Sequence, residues 1–186
     1  MRVIRIADLT PKPWKNGGGT TTEIAISPPG AGFEDFDWRL SVARVASEGP
    51  FSRFPGIDRT LTLIEGAGMR LAIEGHDAVT LTTDSAPLPF PGDVPAAATL
   101  LDGPIRDLNV MTRRGRWTHE VRRVEGETAI EPGNLTLVLA LEEARLGGER
   151  LGFGDAAMLD AGAKPLFRGR GLVIDILGEQ ASSPPS

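Results

Sequence analysis

The chain has 186 residues, with 20 Lys and Arg against 25 Asp and Glu, for a formal net charge of -5. That length supports one large domain or two small joined ones with a real core, and the acidic balance lacks the electrostatic footprint of a general nucleic-acid binder. Cysteine is absent, which removes disulfides, thiolate metal sites and Cys nucleophiles together.

The N-terminal MRVIRIADLT lacks the apolar stretch of a signal peptide. No apolar run approaches the roughly 20 residues of a membrane-spanning helix, so a cytoplasmic location with no membrane partner is expected. The 23 Gly and 15 Pro punctuate short apolar segments along the whole length. Gly and Pro interrupt helices and central strands alike, so the pattern predicts many short strands joined by turns.

The predicted strands, in order, are Glu23–Ile26, Trp38–Val45, Thr60–Ile64, Met69–Ile73, Ala78–Thr82, Ala97–Leu101, Asp107–Thr112, Leu135–Leu141, Ala157–Leu159 and Leu172–Ile176. No window carries a helical apolar stripe with caps at both ends. The helix-friendly LALEEARL at Leu139–Leu146 follows a β-rich run and stops at Gly147 and Gly148, and is read as a strand entering a turn. The expected fold is mainly β, a sandwich or barrel.

Before the first strand, PWKNGGGTTTE at Pro13–Glu23 sets Lys15 and Asn16 beside three glycines. Such a turn either converges backbone N–H groups on an anion or is a plain flexible hairpin; it lacks the spacing of a phosphate-binding P-loop. Next, FDWRLSVARV at Phe36–Val45 alternates cleanly. Phe36, Trp38, Leu40 and Val42 form a core face, while Asp37, Arg39, Ser41 and Ala43 share the opposite one. That second face suits either the inside of a ligand-holding barrel or solvent.

GPFSRFPGIDR at Gly49–Arg59 is a turn-rich segment that Phe51 and Phe54 would pin to the body, leaving Arg59 for polar contact or for a local ion pair with Asp58. His76, in Glu-Gly-His-Asp, reads as a turn residue. In DLNVMTRR, Asp107, Asn109, Met111 and Arg113 share one strand face. Asn offers a donor and an acceptor, and Arg a planar fork for carboxylates. That mixed face reads as a pocket wall or as an exposed edge. His119, near Trp117, has no assigned role. The polar, Pro-rich 180–186 is expected to be a disordered tail.

Residues Leu61–Leu81 with Asp107–Arg113, and Leu135–Leu159 with Gly171–Leu177, repeat a weak pattern of strand, Gly-rich turn, strand and closing strand. Duplicated small barrels or chance would each produce it. The sequence contains no G-x-S-x-G, H-E-x-x-H or strand-to-helix G-x-G-x-x-G signature. A Ser-His-Asp triad would have to draft one of only two histidines.

Taken together, PWKNGGGTTTEI, FDWRLSVARV, GPFSRFPGIDRTL and DLNVMTRR occur in the order found in the HutD/Ves family, which this chain resembles over about Pro13–Arg114. The resemblance implies a bicupin: two antiparallel RmlC-like jelly-roll barrels of cupin type in one unit spanning 1–179, with the first barrel at about 1–120 and the second at 121–179. It implies an accessory role in histidine utilisation, sensing or buffering an acidic metabolite such as N-formyl-L-glutamate or urocanate. Cupin metal sites use an H-x-H pair, which this sequence lacks, so no metal and no cofactor are expected. The family motifs point to Lys15, Asn16, Arg39, Ser41, Arg59, Asn109 and Arg113 as ligand-binding residues, and a homodimer is expected by analogy.

Two rival readings remain beside the binding protein. One is a metal-free isomerase or epimerase, weakened by the absence of Tyr but open to Lys15, Asp58 or Asp107 as a base. The other is a protein-interaction module working through its Pro/Gly loops.

Overall fold

The computed structural model describes residues 1–178; the tail expected at 180–186 lies outside the described residues. The strands are β1 (Arg2–Ile4), β2 (Lys12–Pro13), β3 (Gly19–Ser27), β4 (Trp38–Val45), β5 (Gly49–Pro50), β6 (Ile57–Glu65), β7 (Met69–Ile73), β8 (Val79–Leu81) and β9 (Leu88–Pro91). They continue with β10 (Ala96–Leu100), β11 (Ile105–Arg113), β12 (Trp117–Ala129), β13 (Leu135–Ala140), β14 (Ala144–Leu146), β15 (Glu149–Leu151), β16 (Ala156–Leu159) and β17 (Leu166–Gly178). Among the described residues the sole helical element is a single 3-10 turn at Ile6–Asp8. Every predicted strand falls on an observed one.

Three sheets result. A six-stranded sheet, β2-β3-β4-β11-β6-β9, faces a four-stranded one, β5-β10-β7-β8. The third has the order β1-β16-β13-β17-β14-β15, with β12 added along β17. The N-terminal strand therefore joins the sheet of the second half, pairing Val3 with Ala157. Among the described residues no ladder connects the six- and four-stranded sheets, so the first half is a pair of facing sheets and the second a single curled one. The mainly β expectation holds; the observed sheets are curled or open.

Why the middle strands are buried on both faces follows from side-chain alternation. Trp38, Leu40 and Val42 of β4, with Leu108 and Val110 of β11, meet Leu137 and Leu139 of β13 and Leu172, Ile174 and Ile176 of β17. This apolar seam joins the halves. At about 25 cal/mol per Å² of apolar surface removed from water, each such side chain contributes about 1.5–3 kcal/mol. The alternate residues of these strands, together with residues of the strands beside and opposite them, face two separate interiors. In the first half these are Val45, Leu61, Leu63, Met69, Leu71 and Ile105; in the second, Val138, Ala140, Leu146, Ala157, Phe167 and Val173.

The second sheet curls at a defined place. Along one edge β17 pairs first with β14 at Phe167 and Arg168, then with β13 from Gly171 onward. At the change of partner sits Gly169, with φ of 135°, where an added Cβ would lie 2.8 Å from the Ala144 Cβ. Glycine lets the strand bend and the neighbouring strand approach.

The β12 strand was absent from the sequence-based expectation. Its sequence WTHEVRRVEGETA is charged, interrupted by Gly126 and largely exposed or half-buried. Edge strands carry such charges because they face water, and no apolar alternation marks them.

Candidate functional site

The six-stranded sheet presents its inward-facing residues in rows across the strands. Register places Arg39, Met111, Arg59 and Phe90 side by side, from β4, β11, β6 and β9. The next row holds Glu23, Ser41, Asn109 and Leu61, and the one after it Ala43, Asp107 and Leu63. Two rows lie about 6.6–6.8 Å apart along a strand. A polar patch thus occupies one end of the first interior, and apolar packing fills the other.

Two irregularities help to compose the patch. Register shifts between Glu23 and Ala25 on β3, and again where β11 meets β6 at Arg106 and Asp107. A bulge re-aims a side chain without breaking the sheet. Here Ile24 and Ile64 go to the seam, while Glu23 and Asp107 take places on the interior face.

Arg39, Ser41, Arg59, Asp107 and Asn109 are all buried. Asn109 is a relay: its carbonyl accepts from Arg59 Nη2, and its amide nitrogen donates to Asp107 Oδ1. Arg39 Nε donates to Glu23 Oε2 at 3.0 Å. The Arg59 guanidinium lies between the rings of Phe51 and Phe90, 5.1 and 4.9 Å from their centroids, and Arg39 lies 5.0 Å over Phe33. Arg59 Nε is buried with no hydrogen-bond partner among the described residues. A stranded buried donor costs about 1–3 kcal/mol, more when charged.

Burial also shifts the titrations. Desolvation pushes the Asp107 carboxyl up to about 7, against the opposing pull of Arg59 and Asn109. Desolvation lowers Arg59 to about 10, which still leaves it charged at neutral pH.

The expected site residues separate into three places. Arg39, Ser41, Arg59 and Asn109 come together as just described. Lys15 and Asn16 do not join them: the turn that carries them is tied to Gly19, which pairs with Val45. Val45 lies six residues along β4 from Arg39, or roughly 20 Å. Both side chains are exposed, and Asn16 Oδ1 accepts from the Gly18 N–H at 3.0 Å, closing the turn. Gly19 is required there by close packing, since a Cβ would collide with the Arg44 carbonyl oxygen.

Arg113 shares the face of Asn109 but lies beyond Met111, which packs with Phe36 and Ile57. Its guanidinium donates to the carbonyl oxygens of Glu34 and Phe36 at 2.8 Å, clamping that loop. The local Asp58–Arg59 ion pair also gives way. Adjacent strand residues face opposite sides, and Asp58 pairs instead with Arg114 at 2.6 Å.

Glu23, Phe33 and Phe90 are the cluster members that sequence reasoning passed over. Glu23 was masked by a bulge, and the two aromatics by their loop and edge positions. His119 of β12 sits on the opposite, seam-side face of the same sheet, held between Thr112 Oγ1 at 2.7 Å and Thr60 Oγ1 at 2.8 Å. Desolvation lowers its pKa to about 4, so it is neutral there. His76 is exposed in a turn, as expected.

The donor set of the interior patch is two guanidinium groups, two carboxyls, an amide and a hydroxyl. Glu23 is engaged by Arg39 and Asp107 by Asn109, so the set does not fit a divalent cation, which needs converging carboxylate or imidazole ligands. Among the described residues no group of three or more His, Cys, Asp or Glu is placed to hold a metal ion. The arrangement instead offers cationic forks in an apolar frame, suited to a small carboxylate.

Comparison with known proteins identifies the family. The chain matches the HutD family over residues 6–174 and belongs to it. It is 32% identical over 187 residues to an uncharacterised 21.2 kDa protein in the hutC 3′ region of Pseudomonas putida, covering 95% of this chain and 97% of that one. Protein Ves of Citrobacter koseri is 46% identical over 111 residues, or 59% of this chain and 56% of its own. HutD from Pseudomonas fluorescens SBW25, solved in a formate condition, superposes with a TM-score of 0.87 at 35% identity, over 96% of this chain and 99% of that one. A cupin barrel protein from Leptotrichia buccalis, at 12% identity and a TM-score of 0.58, shares the fold.

Proposed function

We propose that this HutD-family chain is a metal-independent binding protein for a small acidic metabolite, held inside a cupin-type barrel formed by its first half. The observation that carries this reading is Arg59: a buried guanidinium, framed by Phe51 and Phe90, with its Nε–H unpartnered. Arg39 lies in the same row, and Asn109 and Ser41 in the next. A carboxylate bound here would satisfy the stranded donor, and a low-dielectric frame strengthens that contact. An amide or formyl group would find Asn109 and Ser41 beside it.

The P. putida relative in the hutC 3′ region and the P. fluorescens HutD support a place in histidine utilisation. N-formyl-L-glutamate and urocanate are the candidate ligands, and sensing or buffering one of them is the role. Calorimetric titration of metal-stripped protein with N-formyl-L-glutamate, urocanate, glutamate and formate tests it. Saturable binding of one carboxylate, lost in Arg59→Gln and in Arg39→Ala, is the expected result. No binding to any of the four, or unchanged affinity in both variants, rejects the reading.

A second reading, an enzyme, draws on Asp107. A buried carboxyl brought to about 7 is matched to proton transfer near neutral pH. An NMR time course showing conversion of a bound carboxylate, abolished by Asp107→Asn, would favour it over simple binding.

A further inference from the structure

The second half carries a different concentration of charge, on the outside of its curled sheet. Register sets Arg145 directly across from Arg150 on β15 and from Arg168 on β17. Three arginines thus stand in one row across three strands, about 4.8 Å apart. Like charges directly opposite one another destabilise a sheet. The neighbours Ala144 and Leu146 face the apolar interior, so alternation keeps this row on the outer face. Arg5 joins from the N-terminal segment, and the four line a cleft of about 520 Å³ together with Glu143 and Gly152.

The outer arms of this cluster are braced. Arg5 Nη1 donates to the Arg150 carbonyl oxygen at 2.6 Å and to Asp155 at 2.8 Å. Arg168 Nε donates to Glu127 at 2.6 Å, and Arg150 lies 3.7 Å from Glu143. Arg145, at the centre, has no ion-pair partner among the described residues. A chain of net charge -5 therefore gathers four cations in one cleft and leaves the middle one uncompensated. The interior patch of the first half contributes no residue to it.

We propose that this cleft is a site for a small ligand bearing two or more oxyanion groups, phosphoryl or carboxylate, bridged across Arg145 to Arg150 and Arg168. Repeated oxyanions match repeated guanidinium forks, and one anionic ligand relieves the repulsion of the whole row.

The test is calorimetric titration at constant ionic strength with inorganic tripolyphosphate and with citrate, using phosphate and formate as small comparators. One saturable site for tripolyphosphate or citrate is expected, at least ~10-fold tighter than for formate. Whichever of the two binds identifies the oxyanion class. Arg145→Gln should weaken binding by at least ~10-fold, and Arg70→Gln, an exposed site on the other half, by less than ~2-fold. Without ligand, Arg145→Gln should melt at the same or a higher temperature than the parent, because it removes a like-charge contact and no partner. Binding should also survive Arg59→Gln, which separates this site from the interior patch. Absence of saturable binding by both polyanions overturns the proposal, as does equal weakening by Arg145→Gln and Arg70→Gln.

Discussion

The two interiors of this molecule are built from strands of similar pattern, yet they are filled in opposite ways. In the first, the inward row of β4 and β11 reads Arg39, Ser41, Asp107 and Asn109, closed off by apolar packing further along. In the second, the inward residues of β13 and β17 are Val138, Ala140, Phe167 and Val173, buried among apolar neighbours, and the one polar pair on that face, Thr136 and Asp175, is hydrogen-bonded to itself. Both solutions keep the shared seam apolar. An interior that spends stability on unpaired and charged groups marks where a ligand is wanted, and the fully packed one marks where the fold is secured. The second half places its charges outside instead, as the arginine row.

The sharpest way to break this contrast is to put a polar group into the second interior. Val138→Asn strands an amide in a closed apolar cluster and should cost about 3–5 kcal/mol. A large drop in the urea midpoint, with carboxylate binding retained in whatever remains folded, is the expected outcome. A near-neutral effect would mean that the second interior tolerates polarity after all.

Asp107 tests the first interior from the other side. Its folded-state pKa lies above the unfolded value of 3.8, at about 7. The folded state therefore holds an extra proton between those values, and stability falls as pH rises through that window. Asp107→Asn should remove that fall, worth about 2–4 kcal/mol between pH 4 and 8. Urea midpoints across that range check it; parallel profiles of variant and parent would contradict the assignment.

His119 has the opposite sign. Its folded-state pKa is lowered from 6.5 to about 4. The unfolded chain then binds more protons in that interval, so stability present above pH 6.5 is lost as pH falls toward 4. His119→Gln keeps a donor and an acceptor toward Thr60 and Thr112, and should flatten a loss of about 2–3 kcal/mol. In the double variant with Asp107→Asn, both slopes should disappear.

The smallest effect concerns the glycine turn. Asn16→Ala removes the cap on the Gly18 N–H and should cost about 1 kcal/mol, read from the melting temperature. Carboxylate affinity should stay unchanged, because the turn lies three rows from Arg39. A loss of affinity without loss of stability would return Asn16 to the site.

Much of the framework was legible in the residues. Period-two alternation in Phe36–Val45 and Asp107–Arg113 assigned the apolar faces to a core and grouped Arg39 with Ser41 and Asp107 with Asn109, because a strand has only two faces. Turn glycines marked where strands stop. Less legible was β12, whose charges and Gly126 hide a strand that pairs with β17 over its whole length. Glu23 was hidden as well, since a bulge shifts the alternation that would have revealed it.

Proximity between strands was the other missing quantity. Lys15, Asn16 and Arg113 carry the right chemistry for an anion, and only the tertiary structure places Lys15 and Asn16 on a turn three rows from Arg39, and Arg113 against a loop that it clamps. Register likewise created the row Arg150–Arg145–Arg168 from three separate segments. The sequence by itself determined the central strands, the identity of their faces and the supply of cations. Tertiary structure alone decided which faces became interior, seam or solvent, and which charges met. Local sterics and side-chain alternation act within a few residues, whereas the meeting of strands depends on packing along the entire chain.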